Sequence, residues 1–211
     1  MKTSELINAI SEDREMPLAP GRALCLALLP GLAIAIALFS ARLGLRPHFM
    51  SLLADPRFSL KLLVCYLLAA LAGLFVLRLF RPGGSWRGAV LLLALPPALL
   101  GVGVIVELFV VSPADWERTM IGHNAMFCLK SIPLLGVAPL IAILVALRNG
   151  APERPAVAGA GAGLFAGAIG AALYASHCPD DSPLFVAVWY PIAIAFLTAL
   201  GAVLGARLLR W

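Results

Sequence analysis

Charge is what this chain has least of. Only 13% of its 211 residues are Asp, Glu, Lys or Arg, while 62% are hydrophobic and the mean hydropathy is +0.97. So little polar surface cannot coat a soluble globule. No dense basic cluster is present, so the net charge of +5 does not point to nucleic acid. There is no Gly-rich phosphate loop, no His-Glu zinc helix and no nucleophile elbow, and nothing in the residues argues for an enzyme. Cysteine is scarce too: there are four, with no Cys-x-x-Cys pair, which speaks against a disulfide-generating oxidase. The N-terminus mixes Glu5, Glu12, Asp13 and Glu15 with its few basic residues, unlike a cleaved signal.

What is abundant is long apolar runs. Six of them, at residues 23–41, 60–79, 88–111, 126–147, 157–176 and 184–206, are each near the length of about 20 helical residues that crosses a bilayer. The expected fold is an all-α membrane protein of six transmembrane helices, arranged as three helical hairpins in one bundle. Two domains are read: a cytoplasmic N-terminal segment, 1–22, and the six-helix domain, 23–211. Six spans put both termini on one side. Ten Lys and Arg fall on that side and six on the other, so the positive-inside rule places both termini in the cytoplasm. His48, His123, His177, Cys128 and Cys178 then lie on the outer face.

Several residues stand out against this frame. Gly159, Gly163 and Gly167 recur every four residues in the fifth run and make a flat face for close helix packing. Glu107 lies within the third run near its outer end, where an ionised carboxylate needs a cation; Lys61 and Lys130, at the outer starts of the second and fourth runs, are the expected partners. No second intramembrane acid continues a proton relay. Near the N-terminus, Leu6, Ile7 and Ile10 form the apolar face of a short helix that is too small to fold alone, so it lies on the membrane or docks onto a protein.

The segment from His177 to Tyr190 holds most of the remaining chemistry. Two prolines and two acids make a tight turn in which Asp181 or Ser182 caps the sixth helix and Pro183 starts it. Cys178 in this turn and Cys128 at the start of the fourth helix share the outer face. Three readings of the pair are open: a structural disulfide, a thiol-reactive switch, or a soft-metal site with His177 or His123 beside the thiolates. Cys25 and Cys65 read as packing residues within helices. No resident cofactor is expected beyond a transient soft metal ion at the outer cysteines.

Lys2-Thr3-Ser4-Glu5-Leu6-Ile7 with Asp13, Asp55-Pro56-Arg57-Phe58, and above all His177-Cys178-Pro179-Asp180-Asp181-Ser182-Pro183-Leu184-Phe185 with Trp189-Tyr190 resemble the NrsF family of membrane anti-sigma factors. The resemblance covers essentially the whole chain. It implies a negative regulator at the bacterial inner membrane that holds an extracytoplasmic-function sigma factor until an outer metal or oxidative stress arrives. It also strengthens the switch reading of Cys128 and Cys178, and with so few residues inside, the expected sigma contact is the short helix carrying Leu6, Ile7 and Ile10, aided by the inner loops. The chain departs from other anti-sigma proteins in lacking a sizeable cytoplasmic domain and a His-x-x-x-Cys-x-x-Cys zinc motif. The alternative, from another class, is a small multi-pass transporter or ion-coupled carrier built on Glu107 with Lys61 or Lys130.

Overall fold

A computed structural model describes residues 20–80, 87–148, 150 and 152–209. Leu6, Ile7 and Ile10 lie outside these residues. Among the described residues the chain is helical, with no strand, and six segments are long and apolar enough to cross a membrane. The first span is α1 (Pro20–Arg42). A single-turn helix, α2 (Phe49–Leu52), leads to the second span, α3 (Pro56–Leu79), which starts on the Asp55 cap with Pro56 at its first position.

The third span is two helices, α4 (Arg87–Leu92) and α5 (Leu95–Val110), where the apolar run alone predicts one. Pro96 and Pro97 explain the break, since neither has an N–H to return to the carbonyls of Leu92 and Leu93. A 3-10 turn and the short α6 (Trp116–Ile121) follow, then α7 (Ala125–Arg148), α8 (Pro155–Ala175) and α9 (Pro183–Leu208). Ser182 caps α9, its hydroxyl accepting from the Leu184 N–H, and Pro183 opens the helix.

The α8 helix is the centre of the bundle, with 67% of its span buried against 17% for the third span. It packs on α9, α7 and α3, while α1 leans mainly on α7 and α5 rests on α3 and α9. Small residues make this possible. A Cβ on Gly159 would strike the Gly201 carbonyl, and one on Gly163 the Leu197 carbonyl, so at both positions the backbones of α8 and α9 touch. Gly167 faces Ile194 in the same seam, and Gly170 brings α8 equally close to the Ile132 carbonyl of α7. Without a hydrophobic drive inside lipid, such contact surfaces are what hold helices together.

The interior divides in two. The half that holds Leu24 and Leu209, called proximal, is an apolar cluster with Phe80, Ile143, Leu147, Ala162 and Leu197. The distal half gathers Phe58, Cys65, Cys128, Tyr174, Cys178, Phe185 and Tyr190.

Candidate functional site at the distal end

The short segment between α8 and α9 is the hub of the distal end. Its backbone is fixed from one side by Arg46, whose N–H donates to the Ser176 carbonyl at 3.2 Å, and His177 Nδ1 lies 3.1 Å from the Gly44 carbonyl. The Asp180 carboxylate accepts from the His123 and Asn124 N–H groups and from the Asn124 amide, at 2.9 to 3.1 Å. Gly122 allows this approach: it has φ 59°, and a side chain there would collide with Phe185. Below the hub, the Trp189 indole donates to the Met120 carbonyl and ties α9 to α6.

Lys61 comes up from α3 and is 1% exposed. Its ammonium donates to the Cys178 carbonyl at 2.7 Å, to the Asp180 carbonyl at 3.4 Å and to the Asp181 carboxylate at 2.5 Å. The other Asp181 oxygen takes Arg46 at 2.6 Å. A charge removed from water is tolerated only when its donors are satisfied, and here three oxygens of one loop do so.

Glu107, 4% exposed, has a different cation from the one the sequence suggested. Arg57 Nε donates to it at 2.9 Å and the Ser182 hydroxyl at 3.0 Å. Lys61 is not its partner, and Lys130 is exposed with no ion pair among the described residues. The reason is depth along α3. Arg57 and Lys61 are four residues apart on the same face of α3, so Lys61, one turn deeper, meets the loop, while Arg57 at the rim meets Glu107.

The thiols lie beneath this network. Cys128 and Cys178 are both fully buried, and Cys65 packs in the same core cluster. All are free thiols in this structure. Burial raises the Cys178 pKa above the ordinary cysteine range, and the nearby Lys61 charge acts in the opposite direction. The thiol is therefore protonated and poorly nucleophilic at neutral pH. The Tyr174 and Tyr190 rings stand 6.0 Å apart in the same cluster.

The two histidines do not converge on the thiols as a ligand set. His123 is mostly in solvent, 3.7 Å from Asp180, while His177 packs between Phe127 and Tyr174. Among the described residues, no three His, Cys, Asp or Glu side chains form a group able to hold a metal ion. Sequence reasoning placed Cys128 and Cys178 on one face, but missed Arg46, Arg57, Asp180 and Asp181 as their framework. The two adjacent acids of the turn were the available signal, since buried acids need cations.

Comparison with known proteins adds a family. The profile of NrsF, described as negative regulator of sigma F, matches residues 11–211. The anti-sigma-F factor NrsF of Caulobacter vibrioides (strain NA1000 / CB15N) is 34% identical over the full length of both chains. The probable anti-sigma-F factor NrsF of Azospira oryzae is likewise 34% identical, again over the full length of both. No solved structure matches the chain.

Proposed function

The chain belongs to the NrsF family of negative regulators of sigma F, and from that premise we propose that it holds an extracytoplasmic-function sigma factor at the inner membrane and releases it when Cys128 and Cys178 are modified. In this reading both termini are cytoplasmic and the distal end faces the periplasm. The sigma contact is the Leu6, Ile7 and Ile10 face, aided by the inner loops.

The observation that carries the reading is the placement of Cys178. It belongs to a loop bonded to the α1–α2 connection, to α3 and to the turn before α7, and next to that loop Ser182 is bonded to Glu107 of α5. Joining, metallating or separating the two thiols alters what these partners can keep, and the bundle that anchors the cytoplasmic peptide shifts with them. That is the differential contact a two-state regulator requires. The buried charges also favour this reading over a carrier, since Lys61 and Glu107 sit with the loop at one end and form no chain across the span.

Two experiments test the proposal. Cys128→Ser and Cys178→Ser each give an inserted protein that still holds its partner and no longer answers thiol oxidants or soft metal ions, with the double variant no worse than either single one. Normal responses in both single variants would overturn the sensing role. Leu6→Asp or Ile10→Asp releases the sigma factor and turns on its targets at unchanged protein level, because each places a charge where ~1.5 to 3 kcal/mol of apolar burial had been. Unchanged target expression removes the anchor.

A further inference from the structure

A sensing thiol that no reagent can reach poses a question of access. Cys178 and Cys128 have no exposed surface, so the thiol must open before it reacts. Of the groups holding the loop, Arg46 grips the Asp181 side chain, and His123 and Asn124 grip that of Asp180. The Cys178 N–H stays with the Tyr174 carbonyl at the end of α8, while the Lys61 ammonium holds the Cys178 carbonyl from α3 and takes two oxygens beyond Pro179. It thus spans the residue that would have to swing. A proline at 179 leaves the loop few ways to move while both of its sides are held.

We propose that Lys61 is a positioning residue that keeps Cys178 closed, and that release of its ammonium from residues 178–181 is the gate every thiol reagent or soft ion must pass. The proposal rests on the reading of Cys178 as a sensing thiol, which it deepens. It also accounts for a buried charge that the fold does not need for packing. A methionine of similar length would fill the same space without desolvating an ammonium. The competing route is lateral. Cys65 lines a groove of about 540 Å³ between α3, α5, α8 and α9, through which an apolar reagent dissolved in the bilayer could reach the cluster.

The experiment uses the full chain in native membranes. Cys178 is labelled with a membrane-impermeant charged maleimide and, separately, with N-ethylmaleimide, and the thiol peptides are quantified by mass spectrometry. In Lys61→Met the charged reagent labels Cys178 about tenfold faster than in the unaltered protein, with a smaller gain in Asp181→Asn, and with Cys65 and Cys128 still slow. Lys130→Met, a lysine of the same end with no ion pair among the described residues, serves as the control and changes nothing. An unchanged Cys178 rate in Lys61→Met overturns the gate. So does labelling of all three thiols together, which means a loosened core, or labelling of the unaltered protein by N-ethylmaleimide as fast as the variant, which means the lateral route. The sigma-dependent reporter separates the two readings: faster labelling with no change in oxidant dose response keeps the gate and removes the sensing role.

Discussion

The proximal and distal halves of the bundle solve the same problem by opposite means. Proximally, helices meet through glycine and alanine, with the Gly159 and Gly163 backbone against that of α9, around a core of Phe, Leu and Ile. Distally, they meet through a loop, two buried charges, three thiols and two tyrosines. The buried core of the first, among the described residues, is apolar throughout, with no side chain that titrates or reacts. The second is held by hydrogen bonds that chemistry can remove one at a time. Under the proposed function, stability and responsiveness fall to different ends of the same helices, and α8 and α9 run through both.

Breaking the proximal half has the largest effect. Gly163→Leu forces a side chain into the α9 backbone, which cannot yield as a side chain would, and costs about 3 kcal/mol; folded yield in mild detergent collapses. Retention of wild-type yield would mean that the seam is not what holds the bundle. Breaking the distal half is milder. Glu107→Gln keeps the shape and an acceptor for Ser182, while half-exposed Arg57 can turn to water, so the loss is about 1 to 2 kcal/mol in a reversible unfolding assay.

The pH response sharpens the comparison further. In the folded protein the Cys178 pKa is raised, so as pH climbs past the ordinary thiol value of about 8.5 the unfolded chain ionises first and binds fewer protons than the folded one. Stability therefore falls with rising pH, by at most about 1.4 kcal/mol per unit, and Cys178→Ser removes that contribution. An identical alkaline slope in both proteins would show that the thiol is not shielded. The smallest effect lies outside both halves: Ile105→Ala, on the exposed face of α5, changes stability by less than about 0.5 kcal/mol.

How much of this was legible in the residues follows from the range of each interaction. Run length reports spans directly, and the four-residue glycine spacing marks a close-packing face, because both depend on one helix alone. The Ser182 cap and Pro183 start are local chemistry of the same kind. The ion pairs were not legible, since choosing Arg57 over Lys61 for Glu107 depends on how far α3 is turned and how deep each residue sits. Cys65 reads as a packing residue from its helix alone and is buried and free in the distal core. That this core also holds Cys128 and Cys178 was not legible, because it depends on the approach of α7 and the 176–182 segment. The break at Pro96-Pro97 could have been read from the two missing donors, but uninterrupted hydropathy masked it.

The glycine seam has a mechanical consequence. Gly159 lies on Gly201 and Gly205, and Gly163 on Leu197, so over about two turns of α9 there is no side-chain layer to absorb relative motion. Two rods seated backbone to backbone along such a length neither slide nor pivot on one another. Under the proposed function, a displacement of the loop that joins them would therefore travel with α8 and α9 as one body.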